Sequence, residues 1–441
     1  MSLHHHEHGN SDDDHHDDDH HDEGHDLNQN GIRGSGNFII TGLTSGHGVF
    51  HWFVQSFFIL LPEVQETFNL NKVQVGSITT VREMVSGIVT LPGGIIVDQL
   101  KRHWGLILAL CMASFGVGWF IVAQAPDNMF FLVLVGTGII AAAASIWHLP
   151  AMASLSHHFS HRRGTALSFH GVGGSIGDAV SPIATGFLLT YLTWQNILSV
   201  YAAVPIFLAF LVYWAFQNIG KNDDTQGAES GKSDEGRFSQ TMKILKNPLV
   251  LWITFVGGIR GMAFIALLTF LPFFFDDVLG MSDLERGLHF GLLVAVGIVS
   301  TPIMGYLSDR VGRKLVIVPG MLFLGVVVFL ISLFDSNSTR DSIAIILLLA
   351  LLGTFFYSDQ PILTASALDI VGSGVATTTL GTLSFARFVL SAASPIIAGA
   401  LYENYSMDYV FYYVSGLMIL GAIILFAIPL KPPLRPASHH H

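Results

Sequence analysis

Charge is scarce in this chain. Of its 441 residues only 12% are Asp, Glu, Lys or Arg, while 51% are hydrophobic and the mean hydropathy is +0.55. Soluble domains carry about a quarter charged residues, so the deficit excludes an ordinary soluble fold and points to a polytopic membrane protein. Cysteine is nearly missing as well. The single Cys111 falls inside an apolar run, which excludes a disulfide framework, and without a Cys- or Met-lined cavity soft ions such as Cu(I) are disfavoured. Basic residues are absent from the first 26 positions, which hold ten acidic side chains. Those ten carry most of the net charge of −11, so the acidic balance says nothing about the membrane part, and no nucleic-acid partner is expected. An acidic, polar start is also no cleavable signal peptide; the first apolar run is expected to act as an uncleaved start signal.

What is present is apolar sequence in long runs. Twelve stretches of roughly 20 residues or more, long enough to cross a bilayer, run from 38–61 to 407–430, six on either side of a polar segment. The expected fold is all-α and polytopic: twelve transmembrane helices arranged as two pseudo-symmetric six-helix bundles. A disordered His/Asp-rich tail at 1–36 leads into a first bundle at 37–216. A linker at 217–247 follows, then a second bundle at 248–430 and a tail at 431–441. Lys and Arg set the orientation. With the N-terminus inside, fifteen fall on cytoplasmic segments and only Lys72, Arg286 and Arg340 outside. Both termini are therefore expected in the cytoplasm of a cell whose inner membrane holds the chain, as a monomer.

The halves repeat. Gly87-Ile88-Val89-Thr90 answers Gly297-Ile298-Val299-Ser300, Pro150 answers Pro361, and Ser181-Pro182 answers Ser394-Pro395, all at nearly one offset. Gly305-Tyr306-Leu307-Ser308-Asp309-Arg310-Val311-Gly312-Arg313-Lys314 lies between two apolar runs, and a weaker copy with Gly94, Asp98 and Arg102 lies 211 positions earlier. The pattern G-x-x-x-D-R-x-G-R-K resembles the signature loop of the major facilitator superfamily. The second copy matches it in full; the first has Gln99 where the second has Arg310 and lacks the central Gly. Gly94 and Gly305 are expected to let helix backbones approach closely. The resemblance implies a conformational latch built from Gly94, Asp98, Arg102, Gly305, Asp309, Arg310, Gly312, Arg313 and Lys314.

Ionisable residues inside membrane spans are costly and normally face a cavity or a partner. Here they are His47 and His51 in the first span, Arg82 and Glu83 in the second, His148 in the fourth, and His170 and Asp178 in the fifth. The second half adds Arg260, His289, Asp359 and Arg387. None falls in spans 3, 6, 9 or 12, the four that the superfamily resemblance places against lipid. His47, His51 and Gln55 share one helix face, four residues apart. With His148, Arg260 and Asp359 they form the expected substrate and proton cavity. His148 and Asp359 precede the aligned prolines by two residues, so a His facing an Asp is expected as a protonation switch. Arg82, Glu83, His170, Asp178 and Arg387 make the expected interhelix charge network, with the adjacent Arg82 and Glu83 on different helix faces. Arg260 and Arg387 either bind an anionic group of the solute or pair across helices.

Trp147-His148-Leu149-Pro150, the glycines at 171, 173 and 174, and Ser45-Gly46-His47 with Gln55-Ser56 resemble the fosmidomycin-resistance-type exporters of the superfamily. Gly173-Gly174 through Ser181-Pro182 and Gly186 also resembles its antiporter motif, with Ser181 and Thr185 in place of glycines. The expected function is a proton-coupled secondary transporter of a small anionic or zwitterionic solute, with no enzymatic activity and no resident cofactor. An alternative follows from His4, His5, His6, His15, His16, His20 and His21 among the carboxylates of the N-terminal tail. Imidazoles and carboxylates at that density bind divalent metals, so a metal exporter is the second reading. A di-iron enzyme built on His157, His158 and His161 is a third.

Overall fold

A computed structural model describes residues 31–159, 162–219, 246–334, 343–371 and 376–430. The tail histidines from His4 to His21, most of the linker and the segment after 430 lie outside the described residues. Twelve long helical elements follow in order: α1 (Gly36–Phe68), α2 (Lys72–Gln99), α3 (Trp104–Ala123), α4 (Phe130–His158), α5 (Arg163–Leu189), α6 (Trp194–Phe216), α7 (Pro248–Phe273), α8 (Asp283–Val311), α9 (Arg313–Ile331), α10a (Ile343–Phe356) with α10b (Asp359–Val371), α11a (Ala376–Ala392) with α11b (Ser394–Asn404), and α12 (Met407–Ala427). No strand occurs among the described residues. Among the described residues, ten spans qualify as membrane-crossing by length and hydropathy. The other two elements, α1 and α2, carry His47, His51 and Gln55, and Arg82 and Glu83. They are among the helices that face the polar core.

Local sequence explains the boundaries. Asn71 and Gln74 close a reciprocal capping box at the start of α2, and Ser282 with Glu285 does the same at the start of α8. Residue 71 plus 211 is 282, so the cap itself is duplicated. Asn247 caps α7 directly before Pro248, which needs no donor at the first helical position.

The two halves meet through a second set of duplicated contacts. A Cβ on Gly76 of α2 would stand 2.3 Å from the Pro395 carbonyl of α11b, and one on Gly287 of α8 would stand 2.4 Å from the Pro182 carbonyl of α5. Gly399 faces Lys72 O at 2.3 Å and Gly186 faces Asp283 O at 2.5 Å in the same way. Only glycine allows backbones this close. Within each half the repeat also holds: Ser181 donates to Trp52 O of α1, and Ser394 donates to Met262 O of α7 at 2.7 Å.

All of these inter-half contacts lie at the end of the bundle away from the start of α1. At the other end, Cβ atoms on Gly94, Gly164, Gly171 and Gly305 would meet nothing within 4 Å. The expected close approach at Gly94 and Gly305 is therefore not made here, because the halves stand apart where these glycines lie. Ile88 and Ile96 of α2, Val172 of α5 and Val299 and Ile303 of α8 are exposed toward that end. The molecule is clasped at one end and open at the other. The helices expected against lipid, α3, α6, α9 and α12, carry large exposed apolar side chains such as Phe120, Phe210, Phe329 and Phe426, as do α2, α5 and α8.

Candidate functional site

The first half gathers its histidines. His47 and His51 lie one turn apart on α1, and α5 passes close enough to press on both. Gly173 and Gly177 make that approach possible, since their Cβ atoms would fall 2.2 Å from Thr44 O and 2.3 Å from Gly48 O. Gly174 leaves room for the rings themselves: a Cβ there would sit 2.7 Å from His47 Cε1 and 3.1 Å from His51 Cδ2. The glycine run in α5 is thus a packing device for the imidazoles.

Each ring is held by its Nδ1. His47 Nδ1 lies 2.7 Å from the His170 carbonyl, His148 Nδ1 2.6 Å from Ala144 O, and His51 Nδ1 2.9 Å from Asp178 Oδ2. Carbonyls and carboxylates only accept, so each Nδ1 carries the proton and donates it. The Nε2 atoms of His47 and His148 then face each other at 3.0 Å. His170 lies flat on His47, ring centroids 4.0 Å apart, rather than in the charge network expected of it.

A second polar centre lies in the other half. α10 breaks at Tyr357-Ser358, just ahead of Pro361, leaving loose backbone ends in the protein interior. Arg260 of α7 fills the break. Its guanidinium donates to Asp359 Oδ1 at 2.7 Å and to the Phe356 carbonyl at 2.8 Å, and its plane lies 4.2 Å from the Phe264 ring centroid. Asp359 Oδ1 also accepts from the Gln360 amide at 2.7 Å, while Oδ2 makes no hydrogen bond. His148 and Asp359 do not meet as expected: each finds a partner within its own half. Tyr357 reaches toward Gln55 and the Asp178 charge in the first half.

Between these centres, Arg82 Nε and Glu83 Oε1 approach to 3.6 Å despite being sequence neighbours, because both side chains turn into the same seam. Arg82 also feels Asp178, and Arg387 feels Glu83. Ser391 of α11a donates to Glu83 Oε2 at 3.0 Å. Three carboxylates (Glu83, Asp178, Asp359) therefore stand among three guanidiniums (Arg82, Arg260, Arg387).

Sequence reasoning missed a third cluster at the clasped end. Arg286, expected in an outer loop, is fully buried in the first turn of α8 and pairs with Glu63 and Asp283, with Asp276 at 3.5 Å. Lys72 joins Asp277 at 2.6 Å, and Tyr402 donates to the same carboxylate at 2.8 Å. The missed signal is that Glu63 and Arg286 sit just at the apolar boundaries, where an ion pair between halves looks like loop charge. His289, one turn on, bonds only to Glu285 O at 2.8 Å.

The family model "Major Facilitator Superfamily" matches residues 43–395 and 287–440. The chain belongs to that superfamily. It is a multi-pass membrane protein of a family of transporters. It is 22% identical over 381 residues to the uncharacterised MFS-type transporter YfnC of Bacillus subtilis strain 168, covering 85% of this chain and 89% of that one. It is 24% identical over 290 residues to the fosmidomycin resistance protein of Escherichia coli strain K12, covering 64% and 68%. Its fold matches the inward open conformation of the xylose transporter XylE from E. coli at a TM-score of 0.70 and 13% identity, over 90% of this chain and 97% of that one.

The superfamily loop can now be placed. Gly312 separates α8 from α9 with φ 110°, a conformation favouring glycine. Arg313 pairs with Asp309, reaches Asp369 of α10b at 3.1 Å and donates to Ser308 Oγ at 2.8 Å. Lys314 caps the end of α12 through the Phe426 and Ile428 carbonyls at 2.6 and 2.7 Å. Arg310 stacks 4.6 Å over Tyr306. In this conformation the loop ties four helices of the second half together. In the first copy the Asp98 side chain lies outside the described residues. The di-iron reading rests on His157 and His161, whose side chains also lie outside them; His158 bonds to Ser154 O at 3.0 Å.

Proposed function

We propose that this superfamily member carries a small solute across the cell membrane by alternating access, in exchange for protons, with the open end and both termini in the cytoplasm. The observation that carries the reading is the one-ended clasp. Backbones touch glycine-to-carbonyl at one end of the duplicated interface, through glycines of α2, α5, α8 and α11b, while glycines of α2, α5 and α8 stand free at the other. A rocking motion that swaps the two ends needs small residues at both. The distribution of Lys and Arg supports the orientation.

Asp359 is the proton site of this reading. Its Oδ2 is buried without a donor, and a proton there would weaken the hold on Arg260 at the break in α10. The three-to-three balance of carboxylates and guanidiniums supports a neutral or cationic solute over the anion expected from Arg260 and Arg387 alone.

The test is a pair of spin-label distances on a Cys111→Ala background. One pair, Tyr191→Cys and Tyr405→Cys, spans the clasped end; the other, Leu100→Cys and Leu315→Cys, spans the open end. Opposite changes at the two ends as pH is varied are expected. One fixed distance at each end under every condition would overturn the reading.

A further inference from the structure

We propose that His47, His51 and His148 form a divalent transition-metal site, and that the ion bound there is the solute this transporter carries. The proposal rests on the alternating-access reading and names its substrate class.

The donor atoms are already arranged for a cation. One nitrogen from each ring lies within 4.8 Å of the others. Because the three Nδ1 atoms face His170 O, Ala144 O and Asp178, the lone pair of each neutral ring resides on Nε2. Two of those lone pairs point at one another across 3.0 Å. Nothing in the pair itself supplies the positive centre that such a contact requires. A proton between His47 and His148 would answer for two rings and leave the third unused, whereas a metal ion uses all three.

The spacing fits. Imidazole–zinc bonds of about 2.0–2.1 Å at a tetrahedral angle hold their nitrogens roughly 3.3 Å apart. The closest pair is slightly inside that value, and the third nitrogen, within 4.8 Å of both, closes the set by moving inward. The surroundings are those of ligating histidines: a carboxylate behind one Nδ1 and backbone carbonyls behind the other two fix the tautomers and raise ligand basicity. Three protein ligands leave a fourth position open, as an exchangeable ion needs. The His51 side chain is 33% exposed, so the position has access. All-imidazole ligation selects Zn(II), Ni(II), Co(II) or Cu(II) over Ca(II) and Mg(II), and over the soft Cu(I). The first 26 residues of the same chain, independently, hold nine histidines and ten carboxylates, ligands for the same ions.

The test uses the full chain, so that tail ligands are equal in every sample. Zn(II) is titrated into wild type, His148→Ala and Asp178→Asn, with Co(II) absorption reporting geometry. Wild type should bind one equivalent more than His148→Ala and show tetrahedral Co(II) bands that the variant lacks. Asp178→Asn keeps all three ligands and a hydrogen-bond acceptor behind His51 Nδ1, and should bind the same equivalent about 10–100-fold more weakly. Proteoliposomes holding a Zn(II)-sensitive dye should fill with wild type and not with His148→Ala. Equal stoichiometry in all three proteins overturns the proposal. So does an extra bound equivalent without flux of Zn(II), Ni(II), Co(II) or Cu(II), since the ion would then be a fixture. Neither result touches the spin-label distances, which judge the transporter reading separately.

Discussion

Lys72 and Asp277 join the two halves across the clasped end, ammonium to carboxylate at 2.6 Å, with the Lys72 nitrogen also 4.2 Å from the centre of the Phe273 ring. Lys72 opens α2 and Asp277 follows α7, so this pair forms only while that end is shut. With the buried Arg286 and its carboxylates it holds that end together in this structure.

Removing the clasp should therefore move populations. Arg286→Met strips the shared counterion from Glu63, Asp276 and Asp283. Breaking a buried pair costs about 3–5 kcal/mol, but Asp276 and Asp283 are more than a third exposed, so the loss should fall below that range. The spin-label distance at this end should lengthen, and the thermal midpoint should drop.

Asp359→Asn should leave Arg260 buried without its counterion. A loss of about 3–5 kcal/mol is expected, together with loss of proton exchange in proteoliposomes. Arg260→Met combined with Asp359→Asn should recover most of the stability, because no unpaired charge remains, and none of the proton coupling. Recovery of both would show that Asp359 is only structural.

The interface glycines should divide into two classes. Gly287→Ala puts a Cβ 2.4 Å from a backbone carbonyl and should pry the clasped end open. Gly305→Ala meets nothing within 4 Å, so the present state should keep its stability while the opposite state, which must close around it, is hindered. Both variants should slow transport, with opposite shifts in the end-to-end distances.

Gly312→Ala tests the loop between α8 and α9. A side chain at φ 110° costs on the order of 1–3 kcal/mol. Thermal unfolding should show that cost, and Gly312→Asn should lessen it only slightly, since the backbone lies outside the left-handed helical region that Asn tolerates.

Much of the frame was legible before the structure. Span count, repeat register and the exclusion of charge from spans 3, 6, 9 and 12 all follow from hydropathy and spacing, because lipid forces every backbone group into helical hydrogen bonds. The members of the polar core were legible too, since an ionisable residue at membrane depth must have a reason to be there. Their partners were not. His148 and Asp359 occupy equivalent positions, which suggested that they face each other. Yet pseudo-symmetry places equivalent residues in different halves, where each finds a neighbour of its own. Gly94 and Gly305 read as close-contact glycines, but contact there depends on which end of the interface is shut.

The sequence by itself determined a duplicated bundle of membrane helices and the ionisable residues at its membrane-depth core, because both follow from the cost of exposing charge and backbone to lipid. Only the tertiary structure decided which groups pair. Arg260 meets Asp359 because a broken helix must be filled, and His47 meets His148 because glycines on α5 and carbonyls behind each ring aim two lone pairs at one point. Those distances arise from how α1, α4 and α5 cross, a property of packing that no single stretch of sequence contains.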